Sequence, residues 1–160
     1  MKNIEIFREL SGLVLAKAYD SFPLDVTIRP TELALALGDE RWDESQRSLS
    51  ENHSEYIQNR SPIGLAAPTV RWLMESGFLS YESYKDGAFV GVRLTAKGLE
   101  SIESKKGRGA KLVNAVAGLA KEELKNQAKT QLSKAFAEVT AWSIKNVPTI
   151  VANISKVSGI

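Results

Sequence analysis

Apolar residues recur along several stretches of this chain at three- and four-residue steps, and the breaks between those stretches mark element boundaries. Ile4, Phe7, Leu10, Leu13, Val14 and Ala18 lie three or four residues apart, which predicts an amphipathic helix over residues 3–20. Ser21-Phe22-Pro23 ends it, and Asp25-Val26-Thr27-Ile28 reads as a short strand. Pro30 and Thr31 open a second helix that runs through Leu37 to a stop at Gly38. Further on, Val70, Leu73 and Met74 share one face of a helix over residues 68–76, and Gly77 stands where a helix C-terminus favours positive φ. Two strands follow. Phe78–Tyr84 and Ala88–Leu94 are aromatic and β-branched, and Lys85-Asp86-Gly87 between them is a tight-turn signal. Thr95 is placed to cap a short helix carrying Leu99 and Ile102.

Leu73-x-x-x-Gly77-Phe78-Leu79, then a hairpin, then Leu94-Thr95-Ala96-Lys97-Gly98 resembles the winged helix-turn-helix superfamily, in particular its bacterial regulators. The resemblance can be threaded over residues 4–103 and is specific over Val70–Leu99. It implies an α+β, mainly α, fold with base contacts on the outer face of the 68–76 helix and phosphate contacts on the wing. Thr69, Arg71, Lys85 and Arg93 are then the DNA-binding candidates. Arg71 suits a guanine edge, Thr69 a thymine methyl, and Lys85 the phosphates. At 100° per residue, Val70, Leu73 and Met74 turn inward while Pro68, Arg71, Trp72 and Glu75 turn away. An outward Trp72 is either covered by another part of the chain or of a dimer, or it is a protein-contact residue.

Residues 39–64 depart from the family pattern as a polar insertion. They carry Asp39, Glu40, Asp43, Glu44, Glu51, Glu55 and the only histidine, His53, with Leu49, Tyr56 and Ile57 as possible helical anchors. Residues 1–104 form the expected winged-helix domain, and Lys105-Lys106-Gly107-Arg108-Gly109 reads as a flexible linker. A helical tail over residues 110–160 follows. Val113, Ala117, Ala120, Leu124, Ala128, Leu132, Ala135, Val139 and Trp142 make one narrow stripe along a single long amphipathic helix, which Pro148 breaks. A narrow stripe suits a partner helix, so Leu124, Leu132, Val139 and Trp142 are expected at a homodimer or other protein interface. Lys121, Lys125 and Lys129 share one face and could neutralise phosphates. With Phe136 and Trp142 on the apolar side, the same helix could lie on an anionic membrane surface.

Charge and chemistry narrow these readings. The 160 residues carry a net charge of +2, but the halves differ. Residues 1–100 hold 11 Lys+Arg against 15 Asp+Glu, and residues 101–160 hold 10 against 4. The tail is therefore expected to meet something anionic: nucleic acid, a lipid surface or the chain's own acidic half. No cysteine is present, which excludes disulfides, thiolate catalysis and sulfur-ligated metal. The first ten residues lack a signal-peptide core, pointing to the cytoplasm. No nucleotide-binding, zinc-protease or nucleophile-elbow motif occurs, and the acidic insertion lacks EF-hand spacing. The expectation from these absences is a non-enzymatic protein without cofactor or metal, and the resemblance implies a dimeric DNA-binding transcriptional regulator, although the net charge of residues 1–100 favours the alternative that follows. The alternative is a protein-interaction module anchored by Trp72 or by Tyr81, Tyr84 and Phe89, with membrane association through the tail as a third reading.

Overall fold

The computed structural model describes residues 2–38 and 62–158, with side chains described over 3–38 and 62–146. Its first helix, α1 (Lys2–Ser21), holds an unbroken buried run from Leu10 through Ala16. A helix buried over successive residues is covered on more than one side. Strand β1 (Val26–Ile28) and helix α2 (Pro30–Ala36) follow, with Pro30 in the first turn, where its missing N–H costs nothing. Then come α3 (Pro62–Glu75), β2 (Leu79–Ser80), β3 (Ser83–Lys85), β4 (Ala88–Leu94), α4 (Ala96–Glu103) and α5 (Arg108–Gly118). A 3-10 turn at Glu122–Leu124 leads into α6 (Lys125–Ser158). The architecture is mainly helical α+β with a small antiparallel sheet. The insertion expected at 39–64, His53 included, lies outside the described residues as far as residue 61. Its last three residues instead belong to α3.

Strand β4 is the centre of the sheet, with β1 on one side and β2 and β3 on the other. Asp86 and Gly87 both take positive φ, 53° and 73°, as a two-residue type I′ hairpin requires. The single strand expected over 78–84 is interrupted at Tyr81-Glu82. Opposite the break, Gly91 has φ 71°, and a Cβ there would meet the Glu82 side chain at 2.6 Å. Pairing of Val26 with Val92 but Ile28 with Phe89 reveals an extra residue in β4. That residue returns Phe89 to the buried side shared by Val92 and Leu94, and leaves Arg93 exposed opposite Ser80.

The join between β4 and α4 locks the end of α3. The Thr95 side chain accepts from the Gly98 N–H at 3.0 Å, capping α4, and its hydroxyl donates to the Gly77 carbonyl. Lys97 Nζ donates to the Ser76 carbonyl at 2.5 Å and sits 4.6 Å from the centre of the Phe78 ring. Two carbonyls at the C-terminal end of α3 thus find donors. Gly98 has no room for a side chain: a Cβ would stand 2.3 Å from the Phe78 carbonyl oxygen. Each residue of Leu94-Thr95-x-Lys97-Gly98 therefore serves this clasp, Leu94 through its burial and pairing with Leu79.

The tail departs from expectation in three ways. Residues 105–109 turn a corner whose last two residues already belong to the next helix and are packed: Arg108 and Gly109 are buried, and a Cβ on Gly109 would collide with the Tyr19 ring at 2.3 Å, while Lys105, Lys106 and Gly107 are exposed. The long helix is two helices, because the chain reverses between Leu119 and Leu124, and α6 then runs through Pro148 to Ser158. Gly118 permits the reversal's close approach, with its would-be Cβ 3.2 Å from that of Ala128. Finally, the part of the apolar stripe from Ala128 to Val139 is already occupied. α5 and α6 pack on α1 and on each other; Gly12 of α1 abuts Leu132, whose carbonyl oxygen would lie 2.4 Å from a Cβ at position 12. Leu132, Phe136 and Val139 join the same core as Leu13, Val70 and Val92. These residues are covered within the chain, so they offer neither a dimer seam nor a membrane-facing surface.

Two consequences are measurable. Thr95→Ala should cost about 1 kcal/mol for the lost cap, and Gly98→Ala about 1–3 kcal/mol for a clash with backbone; urea melts would read both. Glu9 on α1 has its carboxyl pushed above the usual carboxylate range, chiefly by burial, with Lys129 opposing and neighbouring Glu5 reinforcing the shift. A raised folded-state value means the folded chain binds more protons, so this contribution to stability is full at acid pH and falls as pH rises through the folded value. Glu9→Gln should therefore melt higher than the wild type at neutral pH. The difference should vanish below the carboxylate range.

Candidate nucleic-acid interface

Helix α3 buries Ala66, Thr69, Val70 and Leu73 and leaves Pro68, Arg71, Trp72 and Glu75 exposed. The i, i+3, i+4, i+7 spacing of the buried set is what seats it on α1 and α2. Arg71 then reaches the hairpin. Its guanidinium carbon lies 5.5 Å from the centre of the Tyr84 ring and 5.7 Å from that of Phe89. Tyr84 and Phe89 are cross-strand partners with ring centres 4.7 Å apart, and Tyr81 adds a third ring 5.9 Å from Phe89. Phe89 is buried, while Tyr81 and Tyr84 are about half exposed. Arg71 has neither an ion-pair nor a hydrogen-bond partner among the described residues. The ring faces hold the cation and leave its N–H donors open.

Other expected residues distribute differently. Thr69 is 3% exposed and its hydroxyl donates to the Leu65 carbonyl at 2.7 Å, so it faces the core and cannot touch a base. Lys85 is exposed beside the turn, on the hairpin that carries Tyr84. Arg93 is exposed on the opposite face of the ribbon because of the extra residue in β4. Lys121, Lys125 and Lys129 share no free face, since Lys121 precedes the 3-10 turn and helical phase is lost there. The Lys125 amine lies where a Cβ on Gly38 would stand, 2.5 Å away. Lys129 faces Glu9.

Trp72 is 39% exposed and belongs to an aromatic cluster within the chain. Its ring meets Phe7 edge-on at 5.1 Å, Phe136 at 6.2 Å and Phe78 nearly parallel at 6.3 Å. The covering of Trp72 by the C-terminal helix is thus realised through Phe136. Leu124 stays partly exposed at the turn before α6, and Trp142 is half-buried.

A cation the sequence reading passed over lies at the hairpin tip. Arg29, directly after β1, places Nη1 3.5 Å from the Asp86 carbonyl and Nε 4.0 Å from Glu32. The signal was available, because a β1 strand paired with the hairpin carries its next residue toward the turn. Exposed carboxylates of Glu75, Glu82 and Asp86 offset these cations. The edge is accordingly a place for a few directed contacts rather than a broad positive field.

Among the described residues no helix is long and apolar enough to cross a membrane. No protein-family model, curated protein or solved structure matches the chain.

Proposed function

We propose that this chain is a winged-helix protein that contacts duplex DNA through α3 and the adjoining hairpin, without catalysing a reaction, and acts as a transcriptional regulator. The order α1, β1, α2, α3 and hairpin, with β1 alongside the last strand, supports the winged-helix reading. One observation carries the DNA reading: Arg71 is exposed on α3, propped by Tyr84 and Phe89, with its N–H donors open. A planar fork held by ring faces is pre-organised for a base edge or a phosphate. Lys85 and Arg29 flank it as phosphate contacts. In this reading protomers pair through the distal part of α6, where Ile144 is 81% exposed.

A second reading, a protein-interaction module, draws on a different observation. Tyr81 and Tyr84 expose aromatic surface on a hairpin whose charges nearly balance, a composition common at protein contacts. Trp72, whose ring packs against Phe7, Phe78 and Phe136 and is 39% exposed, offers this reading part of its indole.

Fluorescence anisotropy with duplex DNA at two salt concentrations distinguishes them. DNA binding through this edge means that Arg71→Ala lowers discrimination between duplex sequences by about 1–3 kcal/mol, while Lys85→Ala weakens all duplexes alike and reduces the salt slope by about one. Absence of duplex binding even at low ionic strength would overturn the proposal. A partner captured by the wild type and lost on Tyr84→Ala would then favour the interaction module.

A further inference from the structure

The corner between α4 and α5 faces the middle of α6 across a cavity of ≈ 220 Å³. None of its lining residues belongs to α3 or the hairpin. Five cations surround it, Lys105, Lys106, Arg108, Lys111 and Lys134, against one carboxylate, Glu138. Arg108 is 7% exposed and fixed in place: Nη1 donates to the Ser101 carbonyl at 2.8 Å and to Ser104 Oγ at 2.6 Å, and Nε to Glu138 Oε2 at 3.3 Å. Its Nη2 has no hydrogen-bond partner among the described residues. Glu138 also lies 4.0 Å from Lys105 Nζ, so one carboxylate is shared by two cations. Lys106, Lys111 and Lys134 have no ion-pair partner among the described residues.

Cations gathered round a concavity repel one another, and low-dielectric walls strengthen that repulsion. An anion in the cavity would relieve it. α5 adds to the same field, because it begins at Gly107 in a left-handed conformation with no side-chain cap, and its N-terminal end carries partial positive charge. Lys105 and Lys106 also line a more open hollow at that end, where the Glu103 carboxylate stands with them. Tetrahedral oxyanions bind where helix N-termini and cations converge.

We propose that this cavity is a binding site for a small phosphorylated molecule, with a phosphate monoester or pyrophosphate group seated among Lys106, Lys111 and Lys134 over the buried guanidinium of Arg108. Glu138 already neutralises part of the charge on Arg108 and Lys105, so the three lysines without an ion-pair partner supply most of the attraction for an anion. A recess between helices admits a terminal phosphate, whereas duplex phosphates follow one another along an extended ridge and need a groove. The site stands whether or not the α3 edge binds DNA.

Isothermal titration of the full chain with inorganic pyrophosphate tests the proposal. One saturable site is expected, with Lys106→Ala/Lys134→Ala weakening it by about tenfold or more for two lost charge-assisted contacts, and Glu138→Gln tightening it. Both lysines are exposed, and an unchanged thermal melt would show the double variant intact. The absence of a saturable site, equal affinity in the double variant, or binding that follows ionic strength alone would each overturn the inference. A duplex-DNA arm separates the two phosphate sources. Duplex affinity unchanged in the double variant supports a free small ligand, whereas loss of duplex binding with no pyrophosphate binding would reassign the cations to nucleic-acid backbone and overturn the small-ligand site.

Discussion

Helix α1 is the constraint on which the rest of this structure depends. The same few turns receive α3 and β4 on one side and α5 and α6 on the other, and this is why Leu10 through Ala16 are all buried. Gly12 makes the double coverage possible, since α6 approaches so closely at Leu132 that only a hydrogen fits between them. Phe7, Trp72 and Phe136 tie the two sides together at one end, and at the other Tyr19 against Gly109 fixes α5 to α1. The sheet-bearing part and the C-terminal helices consequently share one hydrophobic core.

That shared core bears directly on the two proposed sites. Helix α3 is held at its buried face by α1 and at its C-terminal end by Thr95 and Lys97, so Arg71 is presented from a rigid element, as precise recognition requires. The cation cavity, in turn, exists because Arg108 anchors the α4–α5 corner and α6 closes the opposite side. Since α6 contacts both α1 and α4, a ligand that shifts α6 at the cavity would also press on the helix that seats α3.

Local signals in the sequence were sufficient for the first helix, the Asp86-Gly87 turn, strand β4 and the Thr95 cap, because each is decided within a few residues by periodicity, positive φ or a side-chain cap. Reading failed where tertiary geometry decides. A stripe projected back from Ala128, Leu132 and Val139 through one continuous helix selected Val113, Ala117 and Ala120, yet Leu112, Ala115 and Leu119 are the buried residues of that segment. The chain reversal resets the helical phase, and Gly118 was the only local hint. Thr69 stands at the edge of the inward arc on the wheel, about 40° from Leu73, so burial there is decided by packing; the helix expected from Pro68 begins at Pro62. Of the candidate interface, Arg71 and Lys85 were legible. The rings that hold Arg71 were not, because cross-strand register and the extra residue in β4 place Phe89 and Tyr84.

The most direct measurement of the shared core is hydrogen exchange on Gly12→Ala. An added methyl forces α6 away from α1, and with one core the amides of α3 and β4 should lose protection together with those of α5 and α6, in a single cooperative unfolding. Protection lost only in α5 and α6, with α3 and the sheet unchanged, would show two independent units and contradict it.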